Sequence, residues 1–479
     1  MRLSALAGEA VSPDPDIAGL TADSRAVGPG FLFAALPGVN ADGAQFIPQA
    51  EEKGAAAVLA RPGTRTRLPL IADPAPRRRL ARMAARFYPR QPGVVAGITG
   101  TNGKTSVARF AAQLWAMLGE ASGSLGTLGA AADGFERKLV HTTPEPVELH
   151  RTLNDMAGAG ATHLAMEISS HALAQHRADG VRVLIAAFTN ITRDHLDYHA
   201  DFEAYFAAKA RLFTDLVADG GAIVVNMDGE GAERVAAIAR RRSLRLLTTG
   251  AAGDDLRLAS ASPHGQGLDI EVCAGGRLFS LRLPLVGAFQ AENAAVAAGI
   301  VMASGASAAD VLPLLERLQG APGRMEFAGA VNGAGVYVDY AHTPDAVATA
   351  LKAVRAHADK RLIVVLGAGG DRDRAKRALM GRAARDHADA AIVTDDNPRT
   401  EDPAAIRAAV REGCPDALDI GDRGAAIETA VAMAGPGDIV LIAGKGHETG
   451  QQVDGETLAF NDMEAARAAI ARRMEELGR

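Results

Sequence analysis

The chain has 479 residues, 48% of them hydrophobic and 23% charged, with a formal net charge of −6 at pH 7. Its length exceeds one ordinary core and predicts about three domains, and its acidic balance excludes a general nucleic-acid binder, which needs a basic face. Two cysteines, Cys273 and Cys414, exclude a disulfide framework or a CxxC metal site, and no apolar stretch reaches the ~18–20 residues of a membrane span.

A few apolar residues follow Arg2, but Gly8 and Glu9 end the run. That is too short for a signal peptide, so a cytoplasmic protein is expected. Aromatic residues are only 4%, so the core is expected to rest on Ala, Val, Leu and Ile. The short run Arg77, Arg78, Arg79 reads as a solvated helix face rather than a binding patch. The stretch Tyr88-Pro89-Arg90-Gln91-Pro92-Gly93 marks one domain edge, and Gly320-Ala321-Pro322-Gly323 a second. The expected domains are 1–90, 91–321 and 322–479.

The second domain opens on the most informative segment. Val94, Val95, Ala96 and Ile98 form an apolar run that enters a glycine-rich turn, GITGTNGKTS over residues 97–106, followed by an apolar-periodic stretch over 107–118. That order is strand, phosphate loop, helix. Gly100 and Gly103 let the backbone take positive φ and present N–H groups to a phosphate. A helix starting near Thr105 adds unpaired donors and the positive end of its dipole. Lys104 neutralises phosphate charge, and Thr105 places a hydroxyl on Mg²⁺. ATP is the predicted ligand. The general pattern asks for a glycine five residues before Gly103, where this chain has Ile98, so the match is the shorter Gly-Thr-Asn-Gly-Lys-Thr form.

Strands are predicted over 162–168, 181–191 and 222–226, with a helix over 201–213. Glu167 ends the first of these strands, where a carboxylate can hold the Mg²⁺ that bridges ATP phosphates; alone, it also reads as an incidental acid before a helix. The loop after Asn190 crowds Asp194, His195, Asp197 and His199 together, which makes His195 a candidate metal or phosphate contact. Lys209 has Tyr205, Phe206, Leu212 and Phe213 three and four residues away, so it lies on the apolar stripe of its helix. It reads either as a snorkelling side chain or as a desolvated lysine of lowered pKa. A neutral amine there could add CO₂ and become a carbamate.

In the last domain, strands are predicted over 336–340, 361–367, 390–394 and 438–443, separated by Ala-rich helical stretches. Strand–helix alternation implies parallel sheets with helices on both faces, and ligands in such sheets bind at the carboxyl ends of strands. Polar clusters follow each strand: Asp339 to Pro344, Gly370 to Arg374, Asp396-Asn397-Pro398-Arg399 and Gly444-Lys445-Gly446-His447-Glu448. Gly367-Ala368-Gly369-Gly370 lacks dinucleotide-loop spacing. An arginine fork such as Arg399 binds carboxylates bidentately, and Glu448 can pair with an ammonium. Together they describe a pocket for a zwitterionic amino acid.

In this order, the phosphate loop, Glu167-Ile168-Ser169-Ser170-His171, Thr189-Asn190 with the 193–199 loop, Ala207-Ala208-Lys209 and the C-terminal clusters resemble the Mur ligase family over essentially the whole chain. The resemblance implies an α/β fold of three domains: an N-terminal uridine-nucleotide-binding α/β domain, a central P-loop ATPase-like parallel sheet and a C-terminal Rossmann-like α/β domain. It implies ATP and Mg²⁺ as cofactors. It implies a UDP-N-acetylmuramoyl-L-alanyl-D-glutamate site formed by Ser24, Val39, Asn40, Ala41, His141, Thr142, Thr143, Ser169, Gln175 and Arg177. His141 stands where some relatives carry asparagine.

By the same resemblance, Gly100, Thr101, Asn102, Gly103, Lys104, Thr105 and Ser106 with Asn293 and Arg324 would hold the nucleotide. Thr105, Glu167, His195 and a carbamylated Lys209 would hold the metal, with Lys104, Glu167, His195 and Lys209 catalytic. Arg372, Asp396, Asn397, Pro398, Arg399, Gly444 and Glu448 would form a meso-diaminopimelate pocket. The Asp-Asn-Pro-Arg form is the one that resembles diaminopimelate-adding members; lysine-adding members differ there. The expected reaction is amide formation through an acyl phosphate, against the alternatives of a lysine-adding ligase or a nucleotide-binding module without ligase activity. No nucleic-acid partner and no membrane insertion are expected.

Overall fold

The computed structural model describes residues 1–38, 42–194 and 198–478. Near the N-terminus, the strands Gly19–Thr21, Phe31–Ala34, Ala57–Ala60 and Leu70–Ala72 pair in chain order as one parallel sheet. The helix Pro76–Phe87 seals one face, with Leu80, Met83 and Ala84 packed among Leu3, Leu6, Leu32 and Leu59. Its arginines are not a solvated face. Arg77 donates to the Pro37 carbonyl at 3.0 Å, Arg79 to the Ala7 carbonyl at 2.8 Å, and Arg78 pairs with the buried Asp179 at 3.0 Å. The run is a clasp: Arg77 and Arg79 bind main-chain carbonyls near the N-terminus, and Arg78 binds a carboxylate outside that sheet.

The second sheet has eleven strands. The strand Val94–Thr99 lies between His163–Glu167 and Val183–Phe188, parallel to both. The chain leaves it toward Ser122–Gly126 on one side, and after His163–Glu167 crosses to Val183–Phe188 on the other. The phosphate loop therefore opens at a topological switch point, where such sheets leave a crevice at their carboxyl ends. Sequence reading missed the edges. Leu256–His264, Gly267–Ala274 and Arg277–Leu283 extend one side as antiparallel neighbours, and Gly129–Ala132 with Phe135–Arg137 extend the other.

The core is built as composition implies. The helix Lys104–Met117 lays Val107, Ala108, Ala111 and Leu114 against Ala294, Ala297, Ala298 and Val301 of the helix Ala288–Ala303. Small residues let the two helices approach closely. Trp115, the single tryptophan, is buried between them and donates to Ser304 Oγ at 2.9 Å.

The third sheet orders its strands Glu326–Val331, Ala334–Asp339, Ile439–Ala443, Leu362–Leu366, Ala390–Val393 and Leu418–Asp419, parallel except for the first pair. Leu362–Leu366 and Ile439–Ala443 are buried along their whole length, as strands covered on both faces must be. A hairpin, Gly450–Val453 with Glu456–Ala459, follows. Among the described residues no helix is long and apolar enough to cross a membrane.

Candidate active site

The strand Val94–Thr99 ends in the phosphate loop, and the helix begins at Lys104 rather than Thr105. Gly103 has φ +87°, and a Cβ there would overlap Asn293 Oδ1. The turn needs both the left-handed backbone and the missing side chain. The loop is held from the strand Val183–Phe188 side: Thr189 donates to the Asn102 carbonyl at 2.6 Å, and the Asn102 N–H donates to Asn190 Oδ1 at 3.0 Å. Thr101 Oγ1 and the Tyr205 hydroxyl are 3.0 Å apart. Ser106 is buried one turn in.

Lys104 folds back onto the loop, donating to the carbonyls of Gly100 and Thr101 at 3.0 and 2.8 Å. Burial lowers its pKa, with Glu167 opposing. Lys209, 2% exposed, donates to the same Gly100 carbonyl at 2.6 Å and sits 4.5 Å from the Tyr205 ring centroid. Burial first, and the Lys104 charge second, push Lys209 well below the ordinary lysine range. It does not snorkel.

Glu167, 2% exposed, accepts from Thr105 Oγ1 at 3.0 Å and from Thr127 through its N–H at 2.8 Å and its hydroxyl at 3.3 Å. Every one of these partners is a neutral donor. Thr105 and Glu167 thus meet as expected, Lys209 meets the loop at the Gly100 carbonyl that Lys104 also uses, and His195 lies outside the described residues. Thr127 was missed; its place, one residue past the strand Ser122–Gly126, was the available signal. No group of three or more His, Cys, Asp or Glu suited to a metal ion occurs among the described residues.

Next to Glu167, Thr143 donates to the Glu167 carbonyl at 2.9 Å and accepts from the Ser169 N–H at 3.1 Å. Arg177 donates to the Thr143 carbonyl at 3.0 Å and to Gln175 Oε1 at 2.8 Å. Thr142 and Thr127 hydroxyls are 3.0 Å apart, and His141 is exposed. These residues form one continuous wall. Ser24 lines a cavity of about 1130 Å³ with Arg25, Arg77, Glu145 and Arg151, and Glu145 pairs with Arg177 at 2.9 Å. Val39, Asn40 and Ala41 lie outside the described residues.

Arg324 reaches back from the C-terminal side. Its guanidinium lies 4.3 Å from the Tyr340 ring centroid and donates to Thr105 Oγ1 at 3.4 Å. Asn293 donates to Gln290 Oε1 at 3.1 Å and closes over Gly103. Beyond Tyr340, the His447 ring is 5.3 Å away. Burial lowers the His447 pKa to about 4.

The C-terminal clusters converge. Arg399 takes φ +54°, donating to the Gly370 carbonyl at 2.7 Å and to Gln452 Oε1 at 3.1 Å. Burial first, and Arg372 second, lower its pKa. Asn397 Nδ2 donates to Glu448 Oε2 at 2.9 Å. Pro398 and Gly444 are buried beside them, as is Asp396, whose Oδ2 has no hydrogen-bond partner among the described residues. Glu448 already holds an ammonium, that of the fully buried Lys445, at 3.0 Å. Sequence reading missed that partner, although Lys445 stands between Gly444 and Gly446 three residues before Glu448.

Three family models match the chain: "Mur ligase family, catalytic domain" over residues 16–88, "Mur ligase middle domain" over 98–301 and "Mur ligase, glutamate ligase domain" over 323–446. The chain is 47% identical to the UDP-N-acetylmuramoyl-L-alanyl-D-glutamate–2,6-diaminopimelate ligase of Bradyrhizobium diazoefficiens, over 99% of this chain and 100% of that one. It is 48% identical to the ligase of the same name from Caulobacter vibrioides, over 96% and 97%. A solved structure of a UDP-N-acetylmuramoyl-L-alanyl-D-glutamate–2,6-diaminopimelate ligase superposes with a TM-score of 0.71 at 34% identity, covering 95% of each chain. This chain belongs to the Mur ligase family.

Proposed function

We propose that the chain is an ATP-dependent, ADP-forming ligase that adds meso-2,6-diaminopimelate to the D-glutamate of UDP-N-acetylmuramoyl-L-alanyl-D-glutamate, in cytoplasmic peptidoglycan precursor synthesis. The observation that carries the reading is Arg324, which joins Thr105 of the phosphate loop to Tyr340 and so to the cluster of Arg399 and Glu448. A nucleotide loop and an amino-acid pocket share one junction. The names of the full-length relatives supply the substrates.

In this reading Gly100 to Ser106, Asn293 and Arg324 hold ATP. Ser24 and its cavity take the uridine end, and Thr142, Thr143, Ser169, Gln175 and Arg177 lead toward the reacting carboxylate. Arg372, Asp396, Asn397, Pro398, Arg399, Gly444 and Glu448 take diaminopimelate. The donor set at Glu167 fits a hard divalent cation, because a buried carboxylate with only neutral donors adjoins a hydroxyl. Thr105 and Glu167 would hold Mg²⁺, which when bound screens phosphate charge. His195 and a carbamate on Lys209 complete the proposed set.

An oxygen of the D-glutamyl side-chain carboxylate attacks the γ-phosphorus of ATP, the β–γ bridge breaks, and ADP leaves. The diaminopimelate amine attacks the resulting acyl carbon, loses a proton, and phosphate departs with the electrons of its C–O bond. The chain positions the reactants and stabilises charge. Lys104 transfers its hydrogen bonds from the loop carbonyls to phosphate oxygens. Closure of the C-terminal domain brings the two sites into reach. Phosphate release measured with the nucleotide dipeptide and a panel of amines tests the reading. Release that is independent of added amine, or unresponsive to diaminopimelate, overturns it.

A further inference from the structure

A lysine with no exposed surface is costly unless its charge is paired and hydrogen-bonded. Lys445 is such a residue. It follows the fully buried strand Ile439–Ala443 after Gly444, and the turn carries it inward. Its Nζ donates to Asn397 Oδ1 at 3.0 Å and to Glu448 Oε2 at 3.0 Å. Asn397 Oδ1 also accepts the Gln452 N–H at 2.9 Å. Two donors on that oxygen settle which way the amide faces, because an amide nitrogen cannot accept them. Asn397 Nδ2 is left to donate to Glu448 Oε2 at 2.9 Å. Lys445, Asn397 and Glu448 thus close a triangle in which Oε2 is saturated. Among the described residues Glu448 Oε1 receives no donor, and the Glu448 side chain keeps 32% of its surface open.

We propose that Lys445 is a positioning residue for the amino-acid substrate: it holds one oxygen of Glu448 against Asn397 and leaves the other oxygen open to accept the substrate's distal ammonium. The inference rests on the diaminopimelate reading above. Without the Lys445 charge, Glu448 keeps only its bond from Asn397 Nδ2 and is free to rotate, while the Gln452 N–H still holds the Asn397 amide. The pocket then still binds an amino acid but no longer reads its far amine. Lys445 touches no reacting atom.

The test compares diaminopimelate with L-2-aminopimelate, which keeps the attacking amine and both carboxylates but lacks the distal amine. The ratio of kcat/KM for the two is measured for the unmutated enzyme, Lys445→Met and Lys445→Arg, with KM for ATP and for the nucleotide dipeptide. The expected result is a preference reduced about tenfold or more in Lys445→Met, largely kept in Lys445→Arg, with the other two KM values within about twofold. A purely structural lysine lowers both rates in proportion. An unchanged ratio in an active Lys445→Met enzyme therefore overturns the proposal. Should Lys445→Met not fold, Lys445→Gln replaces it in the same comparison, and the same unchanged ratio counts against the idea. An unmutated enzyme that does not use diaminopimelate at all overturns the substrate reading instead.

Discussion

Lys209 and Lys104 donate to the same oxygen, the carbonyl of Gly100, at 2.6 and 3.0 Å. One carbonyl cannot neutralise two buried ammonium groups. Burial and the Lys104 charge both favour the neutral amine at Lys209, and a neutral amine is the form that adds CO₂. The expected outcome is loss of activity in CO₂-stripped buffer, restored by bicarbonate. Lys209→Ala is expected to be nearly inactive and blind to bicarbonate, with a short carboxylic acid restoring part of the rate. Full activity in stripped buffer would remove the carbamate from the mechanism.

Lys104→Ala is expected to lower phosphate release by on the order of 10³-fold, the scale for deleting one donor aimed at developing charge. The fold should persist, because among the described residues Lys104 bonds only carbonyls of its own loop. Circular dichroism and a thermal melt check the fold while the phosphate assay checks the rate. A folded variant of near-normal rate contradicts the role given to the loop.

Much of this site was legible because chemistry sits where strands stop. Contiguous apolar runs such as Leu362–Leu366 mark strands buried on both faces, and the polar residues after them mark the ligand edge. The apolar neighbours of Lys209 at helical spacing announced its burial. The edge ribbons were not seen, although Leu268, Ile270 and Val272 alternate and glycines at 265, 275 and 276 turn at positive φ. Partners far apart in sequence were invisible in a single chain: Thr127 with Glu167, or Arg423 with Asp462, a fully buried pair at 2.7 Å. Periodicity reports which face is buried and says nothing of what it meets there.

Space, rather than charge, gives an independent test of Glu167. A Cβ at Gly126 would overlap Glu167 Oε1 and crowd its Cγ at 2.6 Å. Gly126→Ala should therefore displace the carboxylate without altering any charge. The expected outcome is a loss of about tenfold to 100-fold in kcat, with a higher Mg²⁺ concentration needed for half-maximal rate. An unchanged Mg²⁺ dependence separates Glu167 from the metal.

One source of acid sensitivity should be His150, a buried imidazole whose Nε2 lies 3.3 Å from the Asp179 carbonyl. Burial lowers its folded pKa to about 4, below the unfolded value of about 6.5. Between those values the unfolded chain binds a proton that the folded one refuses. Stability from this group is complete above about pH 6.5 and falls as pH drops toward 4, by up to about 3 kcal/mol. His150→Leu should make the decline of the thermal midpoint across that window shallower, with His447 left to supply the rest; an equally steep decline assigns the acid loss to other groups.

Amino-acid choice is the most exposed prediction. Diaminopimelate and L-lysine share the attacking amine and one carboxylate, and diaminopimelate adds a second carboxylate at the far end. Arg399 spends Nε and Nη1 on Gln452 and Gly370, while among the described residues its Nη2 has no acceptor. Among the described residues Arg372 bonds only the adjacent Asp371 carbonyl, at 3.4 Å. Two guanidinium groups close enough to lower the pKa of Arg399 are stable together when an anion lies between them. Lysine leaves the half-buried Arg399 donor unmatched, whereas the exposed Arg372 can turn to water. A site built to pair a polar group rejects an analogue that lacks it by factors of about 10⁴ in favourable cases. Strong preference for meso-diaminopimelate over L-lysine is therefore expected. Arg399→Ala should lose diaminopimelate use while the KM for ATP holds, since Arg399 lies away from the phosphate loop. Equal specificity constants for the two amino acids in the unmutated enzyme would refute the assignment of this pocket.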